Sequence, residues 1–473
     1  MKKKIGAIVM AGVMACTMTA GLAFAGCGSK VKADFVMPSD GFDTSKNVEI
    51  TFYHTMGQNN RPILQNHIEK FNELYPNIKI TEEAIGGYDD VRNQINTEIM
   101  AGDQPNLAYC YPDHVALFNQ AGAVQSLNVF LADSEFKDMK VTRADGSTEY
   151  ICLTQEQTDA FIPGYYAEGF QFDDGTQMYT LPFSKSTEVL YYNKTFFEDN
   201  NLTVPKTWDE MEQVCAKIKE LKPDAIPFGY DSESNWFITM CEQLGTPYTS
   251  AEGEKYLFDT PENRAFVERF KGWKDKGYFT TQTLNNNKYT SNLFTAQTSY
   301  MSIGSSAGAK NQAPKRVDGK YPFEVGITSI PQSSTDEKDF KVISQGPSVC
   351  IFKQDDPQEV LASWLFVKYL TTSVDFQAQF SDASGYVPVI STVLENEIYK
   401  KYLKEADGYD HVTYLAASVC MEQANYYYTS PAFVGSSNAR DMVGNIMSSV
   451  FAGTATIDEA FKYAIEQCKY FVG

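Results

Sequence analysis

The segment Gly304-Ser305-Ser306-Ala307-Gly308 of this 473-residue chain fits the nucleophile pattern G-x-S-x-G. Such a serine must sit on a strand-to-helix turn, with an acid and then a histidine further along the chain. Only His411 lies downstream, and nothing around it marks it as a base. Of the other histidines, His67 falls on the polar side of a helical pattern, where water is expected around it. His54 follows an apolar run, and strand ends of that kind line ligand crevices in α/β sheets. No HExxH, phosphate-loop or paired-histidine spacing occurs, so neither a metal nor a cofactor is expected. The 60 acidic residues are too many for spacing to show whether two of them face each other across a cleft. Glycoside hydrolysis needs that arrangement. The reading is a protein without catalytic residues, with an esterase or glycosidase as the alternative.

Aromatic side chains are the better chemical clue. They make up 14% of the chain, with 29 Tyr beside 31 Phe, and they cluster at Tyr165-Tyr166, Tyr191-Tyr192 and Tyr426-Tyr427-Tyr428. A tyrosine ring can stack on a sugar while its hydroxyl hydrogen-bonds, although most tyrosines serve packing. Beyond Cys16 and Cys27, seven cysteines are widely spaced, and no CxxC pairs them. Buried thiols packed as small hydrophobes are expected, with one distant disulfide left open.

The elements that must position these residues follow from periodicity. Val48 to Tyr53 reads as a strand, and Leu64, Ile68, Phe71 and Tyr75 mark one face of a helix that begins near Pro62. A second strand at Ile78-Lys79-Ile80 precedes a helix carrying Val91, Ile95 and Ile99, which Gly102 ends. Leu107 to Cys110 is a short third strand. Alternation of this kind predicts a parallel α/β unit. Thr207 and Glu210 form a capping box ahead of Met211, Val214, Cys215 and Ile218. Further helices are expected with Phe266 and Phe270 inward, and with Val360, Trp364 and Val367 together.

At the N-terminus, three lysines precede an apolar run that ends in Phe24-Ala25-Gly26-Cys27. This is an export signal, and the small residues before Cys27 resemble a bacterial lipobox, so residues 1–26 are read as a lipoprotein signal peptide. Cys27 then carries the lipid, and residues 27–47 form a polar tether. No later stretch is apolar enough to span a bilayer. The formal net charge of −20 argues against nucleic-acid binding, which wants a basic face. An anionic ligand would need a local positive group against that field.

Three ordered motifs resemble the family-1 extracellular solute-binding proteins of bacterial ABC importers. They are Leu190-Tyr191-Tyr192-Asn193-Lys194 followed by Val204-Pro205-Lys206-Thr207-Trp208-Asp209-Glu210-Met211, the segment Phe294 to Gly304, and Gly385-Tyr386-Val387-Pro388-Val389. The likeness covers about residues 48–470. Within the family, Phe52-Tyr53-His54-Thr55-Met56 and Pro182-Phe183-Ser184-Lys185-Ser186-Thr187 are most similar to the glycerol-3-phosphate-binding branch.

The resemblance implies an α/β fold of the two-lobed periplasmic-binding-protein type (type II), with ligand in a cleft between hinged lobes. Lobe one is expected at 48–183 plus 340–373, and lobe two at 184–339 plus 374–473. It further implies a monomer, lipid-anchored on the outer face of the cell membrane, that delivers a carbohydrate-type solute to a membrane permease. Glycerol 3-phosphate or a glycerophosphodiester is the rival ligand. The ligand contacts carried over from that branch fall on Tyr88, Asp113, Ser186, Trp236, Ser306, Gly346, Tyr386 and Arg440. Pro112-Asp113 stands where the branch has Tyr-Glu, and Trp236 is the one tryptophan where the branch has two.

Overall fold

The computed structural model describes residues 32–172, 175–250, 256–397, 399–401 and 412–471. Cys27, the segment before it and His411 lie outside them.

Apolar and polar residues alternate from Val48 to Phe52, and strand β1 (Val48–His54) buries the apolar set. Helix α1 (Arg61–Leu74) starts on Pro62, whose fixed φ suits a first turn, and buries Leu64, Ile68 and Phe71. Strand β2 (Ile78–Ala84) and helix α2 (Tyr88–Ala101) follow. Val91, Ile95 and Ile99, four residues apart, face inward on α2. Gly102, at φ 79°, ends the helix in the left-handed region. Strand β3 (Leu107–Cys110) leads into helix α3 (Pro112–Gln120). Parallel pairing places β1 between β2 and β3.

Strands β4 (Lys140–Thr142) and β5 (Thr148–Tyr150) form a hairpin. Strand β6 (Leu181–Pro182) belongs to the first sheet and β7 (Ser186–Asn193) to a second one. The second sheet also holds β8 (Ile226–Tyr230), β9 (Phe279–Thr281), β10 (Ser299–Ser305), β11 (Val325–Ser329) and β12 (Val342–Gln345). Strand β13 (Ser348–Ile351) returns to the first sheet, and β14 (Tyr427–Tyr428) pairs with β12. The strand orders are β2-β1-β3-β13-β6 and β14-β12-β7-β10-β8-β9, with β11 also on β7. Each sheet has its own apolar core, one built around Phe52, Phe71 and Trp364, the other around Trp208, Trp236 and Phe270. Helix Trp208–Leu221 carries the expected capping box, with Thr207 accepting from the Glu210 amide at 3.2 Å.

The chain crosses between sheets at 183–185 and again at 346–347. The second crossing lies later than the 340 boundary expected from sequence, because Ser344 and Gln345 pair with Thr187 and Ser186 of β7. Helix Val374–Ala383, expected in lobe two, packs on the first core through Phe376 and Phe380, as do Val389 and Ile390. Helix Val412–Glu422 is back against β7 and β11.

Helix Val374–Ala383 also accounts for His67. Instead of facing water, its ring is fully buried, 5.1 Å from the Phe376 ring, with Nδ1 3.1 Å from the Tyr369 hydroxyl. The helical period itself places His67 inward: it lies three residues after Leu64 and four before Phe71, on the apolar stripe, where helix Val374–Ala383 covers it. His54 is buried too, its Nε2 2.8 Å from Glu82, and it does not line the cavity between the sheets.

The polar stretch read as a tether is docked from Lys32 onward. Met37 and Phe42 are buried in the first core, and Phe35 lies 5.4 Å from the Phe130 ring. Ion pairs Lys32–Asp355 (2.7 Å), Asp34–Lys353 (2.6 Å) and Lys46–Asp356 (2.5 Å) fasten this strap to the turn that opens helix Pro357–Thr372. Three apolar side chains in a polar stretch are easily passed over, yet burying Met37 and Phe42 contributes roughly 1.5–3 kcal/mol each, and the half-buried Phe35 adds less. All seven described cysteines are free and buried.

Candidate functional site

A cavity of about 930 Å³ opens between the two sheets. Its wall comes from the carboxyl ends of strands on both sides, where α/β sheets place their ligands. After β2, Gly86 takes φ 71° and turns the chain so that Tyr88 opens α2 on the cavity wall. After β3, Tyr111, Pro112 and Asp113 open α3. The Tyr88 and Tyr111 rings lie 4.4 Å apart at 38° and form the aromatic part of the wall. The opposite wall is Ser232, Ser234 and Asn235 after β8, Thr429 and Ser430 after β14, and Ser437, Arg440 and Asp441 on helix Ser436–Ala452.

The charged groups are arranged in pairs. The Arg440 guanidinium donates from Nη2 to Asn235 Oδ1 (2.5 Å) and from Nη1 to Ser430 Oγ (3.1 Å). Burial works against its charge, but Asp113 and the surrounding tyrosines outweigh that and leave its pKa raised. Asp113 accepts from Ser437 Oγ at 3.0 Å, a bond that joins the two walls. Burial pushes the Asp113 carboxyl up, and His114, Arg440 and the Ser437 hydroxyl together hold it below the usual carboxylate range. Burial and the neighbouring Tyr386 keep the Tyr88 phenol well above its usual value, so it stays protonated and able to donate.

The floor is the junction of the crossings. Lys185 is buried and ion-paired with Glu168, and its Nζ also donates to Ser348 Oγ at 3.3 Å. Glu168 accepts from Ser344 Oγ at 2.9 Å, so one acid ties the first crossing to the end of β12. Gly346 has φ 97°, and a Cβ there would lie 2.4 Å from the Ser184 carbonyl oxygen and 2.7 Å from Lys185 Cα. Only glycine fits where the crossings pass each other.

Of the residues expected from sequence, the structure brings Tyr88, Asp113, Gly346 and Arg440 together on the cavity wall. Tyr386 stands behind Tyr88, its ring 5.9 Å from Phe380, and does not line the cavity. Ser186 and Ser306 are buried beneath the floor, with Ser186 Oγ accepting from Ser305 Oγ and Ser306 Oγ accepting from the Thr187 amide. That burial also withholds Ser306 from any substrate, although it does sit just after strand β10 as a nucleophile turn would require. Trp236 departs furthest: it is fully buried, stacked 4.7 Å from the Tyr230 ring and packed on Phe270. On helix Glu233–Leu244 its neighbour Asn235 faces the cavity instead, since consecutive helical residues point about 100° apart. Asn235, Tyr111, Lys185 and Glu168 were missed, and three of the four adjoin a residue or segment already quoted. Among the described residues no cluster of three metal-ligating side chains occurs.

The sequence profile of a bacterial extracellular solute-binding protein family matches residues 66–406. The maltotriose-binding protein of Pyrococcus abyssi is 22% identical over 74% of this chain and 68% of its own. The sn-glycerol-3-phosphate-binding periplasmic protein UgpB of Salmonella typhimurium is 22% identical over 88% of this chain and 91% of its own. Among solved structures, UgpB of Mycobacterium tuberculosis in complex with glycerophosphocholine superposes with a TM-score of 0.72 at 16% identity, covering 90% of this chain and 98% of that one. The GacH receptor of Streptomyces glaucescens, solved with acarbose, gives 0.70 at 17% identity with the same coverage. The fold is thus that of two-lobed solute-binding proteins.

Proposed function

The chain belongs to the bacterial extracellular solute-binding protein family, and from that premise we propose that it captures a polyhydroxylated solute bearing a phosphate for a membrane permease of an ABC importer. The observation that carries this reading is Arg440: a guanidinium on the cavity wall, held by Asn235 and Ser430, with donors left to meet an anion. Guanidinium and phosphate match in planar, paired hydrogen bonds. The other wall cations are less available, since Arg92 pairs with Asp89 and Lys185 with Glu168. Tyr88, Asp113 and Ser437 then meet the hydroxyls. No bond is made or broken; closure of the walls around the ligand is the function, and its better contacts in the closed state supply the drive.

A neutral oligosaccharide is the second reading, favoured by the Tyr88–Tyr111 pair and the hydroxyl-rich wall. Calorimetry with glycerophosphocholine and maltotriose separates the two. Saturable binding of glycerophosphocholine, lost in Arg440→Ala, supports the phosphate reading. Maltotriose binding that survives Arg440→Ala favours the sugar.

The placement of the protein is part of the same proposal. Cys27 is the site of acylation after signal removal, and the protein acts as a monomer on the outer face of the membrane. Cys27→Ser then moves the protein from the membrane fraction to the medium and abolishes palmitate labelling; membrane retention with unchanged labelling would falsify the anchor.

A further inference from the structure

Beneath the cavity wall lies an acid that the ligand contacts above do not use. Glu188, on β7, is buried, with 1% of its surface exposed. Its Oε1 accepts from Asn235 Nδ2 at 3.0 Å, and its Oε2 accepts from the Tyr230 hydroxyl at 2.5 Å. Asn235 has one amide, and both ends are engaged: the nitrogen on Glu188, the oxygen on Arg440 Nη2 at 2.5 Å. A flipped amide would set its nitrogen against the guanidinium, donor facing donor. We propose that Glu188 is a positioning residue of the cleft: it locks the Asn235 amide so that its oxygen aims Arg440 into the cavity, and it is the inner counter-charge of that guanidinium. This rests on Arg440 being the ligand's anion-binding group.

The electrostatic surroundings agree with the geometry. Around Glu188 stand Tyr230 and Asp231 from the end of β8, Asn235 from the next helix, Arg440 from helix Ser436–Ala452 and Tyr428 from β14. Burial pushes the carboxyl up to about 7, while the Tyr230 and Asn235 hydrogen bonds and the Arg440 charge pull the other way. The charge on Glu188 therefore changes within the ordinary pH range. Its ionised form partly cancels the pull of Arg440 on an anion. Protonation leaves the acceptor facing Asn235 in place and removes that cancellation. Binding of an anion should then tighten as pH falls through neutrality, the reverse of what loss of the Asn235 lock would do.

The test uses glycerophosphocholine, whose phosphodiester keeps one charge from pH 5.5 to 8, measured by calorimetry across that range. Wild-type protein should bind several-fold more tightly at pH 5.5 than at pH 8. Glu188→Gln, which still accepts from Asn235, should bind at pH 8 at least as well as wild type and lose the step near neutrality, keeping only the dependence near pH 6 that comes from Asp441 on the cavity wall, whose carboxyl burial pushes up to about 6. Glu188→Ala and Asn235→Ala should bind about tenfold more weakly or worse, since an aligned acceptor on a charged donor is gone. Either alanine variant matching wild type, or Glu188→Gln keeping the wild-type pH profile, overturns the proposal; Asn235→Ala decides if Glu188→Ala does not fold. A ligand-free arm follows the Glu188 carboxyl carbon by NMR: its midpoint should lie near neutrality and rise in Arg440→Ala. An unmoved midpoint overturns the counter-charge role. Wild-type protein that binds maltotriose alone would instead refute the phosphate cargo, and the NMR arm would still decide the pairing of Glu188 with Arg440.

Discussion

Burial holds the Glu188 carboxyl at about 7 in the folded protein, against 4.5 for the free side chain. The native state therefore binds this proton more tightly than the unfolded chain. Its contribution to stability is complete below about 4.5 and is lost as pH rises through about 7, for a total of roughly 3 kcal/mol. Urea midpoints of wild type should fall from pH 5 to pH 8 relative to Glu188→Gln; parallel curves would place the titrating group elsewhere. Trp236 gives the complementary residue-scale prediction. Fully buried against Tyr230 and Phe270, it should cost about 3–5 kcal/mol of stability as Trp236→Ala, while Trp236→Phe leaves ligand affinity near wild type. Urea unfolding and calorimetry on the same variants check both. The arginine and the acid that came out on the wall, Arg440 and Asp113, were legible only through the family resemblance, which carried them over by position. Direction was not legible. Whether Asn235 or Trp236 faces the ligand depends on a rotation about one helix, and Ser186 and Ser306 are hidden by strands that pair only in the fold.

The helices and strands with clear periods formed where they were expected, because burying an apolar stripe is a local decision that any nearby core will satisfy. The capping box at Thr207 is of that kind, and Thr207→Ala should lower stability by about 1 kcal/mol in a denaturant titration. The crossings were less legible. A strand such as β12 looks alike whichever sheet it joins, and its assignment rests on pairing with β7, which is far away in the chain. Gly346 is the position where that long-range arrangement becomes visible in one residue. Gly346→Ala forces a Cβ to 2.4 Å from the Ser184 carbonyl oxygen at φ 97°, so the two crossings must separate. Loss of about 1–3 kcal/mol or more is expected from the backbone strain alone, read as a lower urea midpoint.

At the scale of the molecule, the closure proposed for the cleft between the two sheets can be followed directly. The described cysteines are all buried, so on a Cys27→Ser background without the first 26 residues, dyes on Lys137→Cys and Glu268→Cys should report the separation of the lobes. Saturating ligand is expected to raise transfer efficiency, and no change would argue that the cleft is rigid. The docked strap has a separate consequence, one of geometry rather than affinity. With Lys32 fastened to Asp355 and Phe42 buried, the proposed anchor at Cys27 would stand five residues before the strap, at most about 17 Å from it. Released as far as Val48, this leash would extend about 70 Å. On the proposal that Cys27 is acylated, the docked strap would set how far from the bilayer the protein can range, and Phe35 and Phe42 are part of what docks it. Phe35→Ala with Phe42→Ala would lengthen the leash, altering uptake by cells while leaving capture in solution unchanged.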